Sequence, residues 1–574
     1  MRILLVMPTP FESGRLGLEN VIWLSEPVAL TSVAGSVPKP HQVMLLDMRL
    51  EPEGALASTL QEFQPDVVGT TSMTTDVYQA KAVLRMTRQL CPEALTVVGG
   101  HAPTLQPQEF EEDYIDVIVQ GEGEHTFAEL IAAWHERALA PSDPAATDGR
   151  RPSRAFAGIH GVRYRGDAGF VSNAKREQTL VLDELPPPDR SLVAKYYGRY
   201  FFTVARPMAS IFTSRGCSFD CNFCAIWEFY ERRTRFLSAK QIADQMQACE
   251  EDFIFVLDDN FLTSKRRLLE LCEELERRQL NKFWMTQGRT DFVADNPALI
   301  ARLARNGLIG LLSGFESNDD DSLAALRKKN TWDKNKLANQ ILRDNGIFST
   351  GIFMVRADWT AEQFQSLYDY INTLEIGIPL ITILTPLPGT QLYRAYKDKL
   401  LTHDYRLFDL LHAVLPTRLP REEFYKQFAR ALDATAESAH RAMSNVVKRR
   451  RDFVWKFGKN LLWFYARTWR YQRVHRDYRS FLRDEEGLLN GPGAAAELTW
   501  RDVEYPRGDE NTKQANQDNL VRLRIPKDTW IDALPPKLPM ARPPAALHRP
   551  SSAPQDTPRL GSLGAGPQAQ GETL

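Results

Sequence analysis

The 574-residue sequence predicts two α/β domains in series followed by a helical region. Three observations carry this. Short, near-continuous apolar runs alternate with helical patterns over residues 1–137, the same alternation restarts over 199–400, and beyond 400 the strand signals stop while helical periodicity continues. Runs that are apolar at every position, rather than at every second one, suit parallel strands buried on both faces.

In the first domain the strand candidates are Arg2–Met7, Gln42–Leu46, Asp66–Thr70, Thr96–Val98 and Val117–Val119, with helical periodicity over Gly54–Phe63 and Val77–Leu90. About five such strands make a doubly wound sheet of flavodoxin-like size, whose ligands sit beyond the carboxyl ends of the strands. The loops at that edge hold the hydroxyl-rich Thr70, Thr71, Ser72 and Met73, then Gly99, Gly100 and His101, then Gly121, Glu122, Gly123 and Glu124. Small residues let backbone approach a large ligand, and hydroxyls and amides supply hydrogen bonds. Singly these are ordinary turns; together on one edge they favour a large planar or phosphate-bearing cofactor. G-x-G-x-x-G is missing after the first strand, which argues against NAD.

Residues 138–198 read as a linker. Its first part, Ala140–Pro152, is loop-like; Gly161–Val171 forms a small hairpin; Leu182-Asp-Glu-Leu-Pro-Pro-Pro-Asp189 is an extended tether. The second series follows, with strand candidates Ser210–Thr213, Phe253–Leu257, Phe283–Gln287, Ile309–Phe315, Ser349–Val355 and Leu380–Leu384. Between them lie helical stretches such as Ala239–Cys249, Ser264–Arg277, Pro297–Asn306, Lys336–Asn345 and Ala361–Leu374. Six β/α units predict a partial barrel with its active site at the carboxyl ends of the strands. The helical region spans 401–485. Within 441–483 it carries 13 Lys/Arg against Asp452 and Asp477, interleaved with Trp455, Trp463, Phe464, Tyr465 and Trp469. Val454, Phe457, Leu461 and Tyr465 are expected on one helical face that docks on something apolar. Residues 486–574, rich in Pro and Ala towards the end, are expected to be poorly structured.

Charge and cysteine usage exclude several classes. With 71 Lys/Arg against 73 Asp/Glu, no global field recommends nucleic acid as a partner. Six cysteines are too few for a secreted disulfide framework, and Cys91, Cys249 and Cys272 read as ordinary buried thiols. No stretch approaches the roughly 20 apolar residues that cross a bilayer. Met1–Met7 reads as a buried strand rather than a signal sequence, because Pro8, Pro10, Glu12 and Arg15 follow at once. The expectation is a cytoplasmic protein, soluble or peripheral at the inner membrane surface.

The chemistry centres on Cys217, Cys221 and Cys224, spaced C-x3-C-x2-C just after the first strand of the barrel. Thiolates on one loop can grip a 4Fe–4S cube, and three of them leave one of its irons open to an outside ligand. Three buried or disulfide cysteines, or a zinc site, are the alternatives; zinc usually needs a second ligand pair, which the sequence lacks.

This motif resembles that of radical S-adenosylmethionine (SAM) enzymes, in which SAM chelates the open iron and is cleaved to a 5′-deoxyadenosyl radical. The resemblance implies that Phe223 lies near the SAM adenine, that Asp258, Asp259 and Asn260 contact the SAM amino group, and that Gly314, Glu316 and Ser317 bind its ribose, with Gln287 and Arg289 facing the same cavity. The first domain resembles the cobalamin-binding domain of class B radical SAM enzymes, so the loop residues named above are implied cobalamin contacts. The D-x-H-x-x-G motif that supplies a cobalt ligand in many corrinoid proteins is absent from the first loop, and His101 is read as lining the site. His403–Pro420, with Cys224–Tyr230 and Thr385–Thr390, resembles bacterial hopanoid C-3 methyltransferases.

The reaction so implied is methyl transfer to an unactivated carbon, C-3 of a hopanoid. One SAM methylates cobalamin to methylcobalamin, and a second supplies the radical that removes a hydrogen. A reductant such as flavodoxin or ferredoxin is required, and a lipid substrate gives the basic-aromatic 441–483 segment a place at an anionic membrane surface. Three other readings stand beside it: the same chemistry on another natural product, lipid or peptide, a cobalamin-using radical SAM cyclase or oxidative enzyme, and a non-enzymatic cluster-bearing sensor.

Overall fold

The computed structural model describes residues 1–9, 22–139, 153–489, 498–503 and 505. The loop expected over 140–152, the loop after the first strand and the far tail lie outside the described residues.

The first sheet is built from β1 (Arg2–Met7), β2 (Gln42–Asp47), β3 (Val67–Thr71), β4 (Leu95–Gly99), β5 (Val117–Val119), β6 (Val162–Gly166) and β7 (Gly169–Ser172), in the spatial order β2-β1-β3-β4-β5-β6-β7. The first five run parallel, in the doubly wound order expected. The hairpin, expected as part of a linker, joins the sheet instead: β6 pairs antiparallel with β5, and β7 with β6. β5 is three residues long and would otherwise leave an open sheet edge, which the hairpin covers. Helices Val28–Gly35 and Gly123–Leu139, not foreseen from the sequence, pack together in the same domain.

The second sheet comprises β8 (Met208–Ile211), β9 (Phe253–Val256), β10 (Phe283–Gln287), β11 (Leu308–Glu316), β12 (Phe348–Val355) and β13 (Ile378–Ile383), hydrogen-bonded in that order and parallel throughout. This is the six-stranded partial barrel. Its apolar interior includes Phe255, Met285, Leu312 and Leu380, with Leu257 and Ile352 packed against them.

The two domains share one core. Leu4, Val68 and Phe110 of the first belong to the same buried cluster as Leu384, Leu392, Leu407 and Phe408 of the second. Their functional edges face each other. His101, after β4, stacks on Phe229, just beyond the cysteine loop, with ring centroids 5.3 Å apart. Arg215, ahead of the cysteines, pairs with Glu122, after β5, at 3.0 Å.

The C-terminal helices behave differently from the expectation of one amphipathic face. Helix Arg451–Phe457 ends at a 3-10 turn over Gly458–Asn460 before helix Leu461–Arg476 begins. The tighter turn resets the helical phase. Phe453 and Phe457 pack on Phe253 and Phe283 at the amino-terminal end of the barrel, whereas Leu461 and Tyr465 face outward. Order also continues past 485: Leu488 and Leu489 pack on the shared core, Val503 is buried, and Tyr505 lies against Arg356 and Tyr396. The expectation of a poorly structured tail does not hold for these residues.

Candidate functional site

The cysteine loop is held at several points by bonds that do not involve its thiols. Asp258, fully buried after β9, accepts from the Thr213 and Ser214 amides at 2.6 and 2.9 Å and from both of their hydroxyls at 2.6 Å. Gly216 follows with φ 87°, in the left-handed region, and a Cβ there would run into the Arg233 carbonyl, so only glycine suits the turn. Its amide donates to Asp259 Oδ2 at 3.0 Å. Farther on, the Asn222 side chain donates to the Ala325 carbonyl at 2.8 Å, the Leu392 amide donates to the Asn222 carbonyl at 2.9 Å, and Trp227 Nε1 donates to the Cys221 carbonyl at 2.9 Å.

Burial pushes the Cys217 thiol up and the Cys224 thiol up to about 12, so their thiolate forms need the positive charge of bound iron. A single zinc ion would need its ligand atoms within about 4 Å of one another. No group of three or more His, Cys, Asp or Glu side chains among the described residues is gathered in that way. A cube, which gives each cysteine its own iron, does not ask for it.

The expected SAM residues divide into those that border the cysteines and those occupied elsewhere. Asn260 Nδ2 lies 4.0 Å from Cys217 Sγ, and its Oδ1 is buried without a partner. Asp259 reaches solvent, yet the protein packed around its carboxyl lifts it to about 6, and its Oδ2 accepts from the Gly216 amide. Arg289 stacks over Phe219, inside the cysteine loop, 3.6 Å from the ring centroid, and donates to the Lys328 carbonyl at 2.6 Å. Burial works against its charge, and Asp291, Cys221 and Cys217 outweigh it. Glu316, at φ 64°, forms a buried 2.6 Å pair with Lys328, whose charge Glu316 and Cys221 sustain against burial. Gly314 abuts that pair. Ser317 donates to Asp319 at 2.9 Å, Gln287 is half-buried at the end of β10, and Phe223 packs on the shared core. Asp258, by contrast, has its carboxylate consumed by Thr213 and Ser214 and serves to position the loop.

At the facing edge, Thr70 donates to the Val6 carbonyl of the neighbouring strand at 2.9 Å, and Ser72 donates to Asp76 at 3.0 Å within its own loop, so both hydroxyls are occupied by the protein. Thr71 lies beside Gly100, where a Cβ would press on the Thr71 hydroxyl and the Ser72 backbone. Met73 is exposed, and Gly99 continues into Gly100 at the end of β4. A Cβ at Gly121 would meet nothing within 4 Å, so open space lies in front of that loop. His101 Nε2 is buried without a partner, and burial lowers the ring to about 4, which keeps it neutral. A flat glycine edge beside open space and an orphaned imidazole nitrogen fit a large ring cofactor. Glu122 and Glu124 face another way. Glu122 pairs with Arg235 at 2.8 Å as well as with Arg215, and Glu124 binds Arg215, clamping one domain to the other. Burial alone would raise the Glu122 carboxyl; Arg235 and Arg215 bring it below the usual range.

Sequence reasoning missed Lys328, Arg215 and Arg235, none of which falls at a recognisable spacing. Among the described residues no helix is long and apolar enough to cross a membrane.

Comparison with known proteins agrees with this arrangement. The B12 binding domain family matches residues 19–131 and the radical SAM superfamily matches residues 211–371. The hopanoid C-3 methylase of Methylococcus capsulatus is 30% identical over 437 residues, covering 75% of this chain and 79% of that protein. An anaerobic magnesium-protoporphyrin IX monomethyl ester cyclase of Rubrivivax gelatinosus is 26% identical over 381 residues, 65% of this chain and 66% of its own. Among solved structures, the cobalamin-dependent SAM radical enzyme OxsB with aqua-cobalamin and SAM bound superposes with a TM-score of 0.56 at 16% identity, over 93% of this chain and 80% of that one. The radical SAM methyltransferase TsrM of Kitasatospora setae gives 0.52 at 18% identity, over 70% and 77%. With an iron–sulfur cluster, SAM and cobalamin as its cofactors, the chain belongs to the cobalamin-dependent radical SAM methyltransferases.

Proposed function

We propose that the enzyme methylates an unactivated carbon of a polycyclic membrane lipid, C-3 of bacterial hopanoids. The observation that carries this reading is the placement of the segment 403–420. Tyr405 receives a 2.9 Å bond from Gln106 of the first domain, and the Ile383 amide, at the end of β13, donates to the Leu410 carbonyl at 2.7 Å. The stretch that resembles hopanoid methylases thus runs from the cobalamin domain to the open edge of the barrel, where substrate would enter. The apolar barrel interior supports the same reading: Leu257, Leu312, Ile352 and Leu380 offer a hydrocarbon ring system surface and no acid or base. A saturated carbon has no acidic proton, so such groups would have no work to do.

The cofactors when bound supply a radical that takes hydrogen and a methyl group to replace it. The residues do the holding. Cys217, Cys221 and Cys224 would ligate the cluster. Asn260 and Asp259 would meet the amino end of SAM, Arg289 its carboxylate side, and Glu316, Ser317 and Gly314 its ribose, with Gln287 and Phe223 lining the cavity. Thr71, Gly99, Gly100, His101 and Gly121 would cradle cobalamin. The Arg215 clamp fixes how far the two edges stand apart, the quantity on which in-line transfer depends. Electrons would come from flavodoxin or ferredoxin, and a membrane lipid as substrate places the enzyme peripherally at a membrane.

Deleting the gene and profiling host lipids tests the substrate: loss of 3-methylhopanoids is expected, and unchanged content removes the assignment. The cyclase relative supports a second reading, cobalamin-dependent ring formation. Purified enzyme separates the two, since methyl transfer yields both S-adenosylhomocysteine and 5′-deoxyadenosine, whereas cyclisation yields only the latter.

A further inference from the structure

An apolar cavity lies at the opposite end of the barrel from the cysteines. It encloses about 550 Å³ between the amino-terminal ends of the strands and helices Ala436–Arg449, Arg451–Phe457 and Leu461–Arg476. Phe253, Met285 and Leu380 line it from the barrel side, and Leu432, Ala439 and Phe464 from the helices. Its mouth is apolar too: Met443, Val447 and Leu461 border the cavity and are exposed.

Around that mouth the surface is inverted. On helix Leu461–Arg476 the exposed positions over 461–469 are Leu461, Leu462, Tyr465, Ala466 and Trp469, a stripe at helical spacing, with Arg473 and Arg476 exposed in the turns beyond. Leu462 is 83% exposed, Tyr465 68% and Trp469 56%, while Trp455 on the preceding helix is 91% exposed. A water-facing stripe would be polar. Among them Lys448, Arg451 and Lys459 are exposed and carry no ion pair among the described residues. Indole and leucine side chains set among unpaired cations match an interface in which acyl chains lie beneath anionic headgroups.

We propose that this face docks on an anionic lipid bilayer, with the mouth of the cavity turned toward the acyl chains. The assignment deepens the lipid reading above and rests on it only for what the docked face would serve: it would hold the enzyme on the bilayer that supplies an apolar substrate, while the substrate itself would enter at the open edge of the barrel.

Flotation of the full-length protein with vesicles of phosphatidylcholine alone, and of phosphatidylcholine with phosphatidylglycerol, tests it. The protein should float with the anionic vesicles and far less with the neutral ones. Combined Trp455→Ser, Leu462→Gln and Trp469→Ser should weaken binding by roughly tenfold or more, with circular dichroism and iron content unchanged. Lys448→Glu with Lys459→Glu should abolish the preference for phosphatidylglycerol. No flotation, or equal flotation by the triple variant, overturns the proposal. So does light scattering that shows a dimer which the triple variant dissociates, since the stripe would then cover a second copy of the chain. The vesicles hold no hopanoid, so a protein that floats yet leaves host lipids unchanged keeps the docking face and loses only the substrate.

Discussion

Arg215 is the position at which a single substitution separates the two domains energetically without touching a cofactor ligand. Its guanidinium reaches Glu124 and lies 3.0 Å from Glu122, and the side chain is only 16% exposed. Replacing it with Met leaves the two carboxylates unequal. Glu122 keeps Arg235 at 2.8 Å and the Thr179 amide at 3.2 Å, whereas Glu124, 7% exposed, has no other cation among the described residues. One buried carboxylate is therefore stranded, not two. Breaking a buried pair in this way costs about 3–5 kcal/mol, and the survival of the Glu122–Arg235 bond puts Arg215→Met at the lower end, about 3 kcal/mol. Removing the stranded charge as well, in Arg215→Met/Glu124→Leu, should return the protein to within about 1 kcal/mol of the parent, because an apolar pair of similar volume is near neutral. Urea unfolding of the apo protein measures both. A second readout follows from the clamp's place between the facing edges: the loaded Arg215→Met enzyme should form more 5′-deoxyadenosine per methylated product than the parent. A single variant within about 1 kcal/mol of the parent, or a double variant no better than the single, would refute the reasoning.

Two further outcomes are expected. In Gly314→Ala the new methyl would fall against Glu316 Oε1 and 2.7 Å from Lys328 Nζ, forcing the buried pair apart. SAM affinity measured by calorimetry should drop by roughly tenfold, about 1.4 kcal/mol, and an unchanged affinity would remove Glu316 from the SAM site. His101 is lowered by burial from 6.5 to about 4, so the unfolded chain binds the proton more readily than the folded one. Its contribution is present above pH 6.5 and is lost as pH falls toward 4, about 3 kcal/mol across that window. In His101→Phe, urea titrations of the apo protein should show that slope flattened; an unaltered slope would mean that the ring is not desolvated.

Much of the framework was legible because it is written in local patterns. β1, β5 and β10 match the runs Arg2–Met7, Val117–Val119 and Phe283–Gln287 residue for residue, since the consecutive buried apolar residues at the centre of each mark it as a strand covered on both faces. Helix Gly123–Leu139 was missed although Phe127, Leu130 and Ile131 recur at helical spacing, because the Gly121–Glu124 run reads as a loop. Site chemistry divided along the same line. Three cysteines at fixed spacing name themselves. Lys328 lies far from any motif and reaches Glu316 only through the turn of the chain after β11. Asp258 looked like a ligand contact because it is an acid at a strand end; only the fold reveals four donors waiting for it. Pairings between Arg215 and Glu124 cross 91 residues, and sequence spacing carries no trace of them.

The way the cysteine loop is tied down bears on how the enzyme is assembled. Asp258, Asn222 and Trp227 hold its backbone through hydrogen bonds that make no use of the sulfurs. Many small metal-binding domains are unfolded until the metal arrives, so that their binding energy is spent on ordering the chain. Here much of the ordering comes from bonds within the chain, so a protein stripped of its cluster is expected to keep the path of this loop and to accept a new cluster with its circular dichroism unchanged.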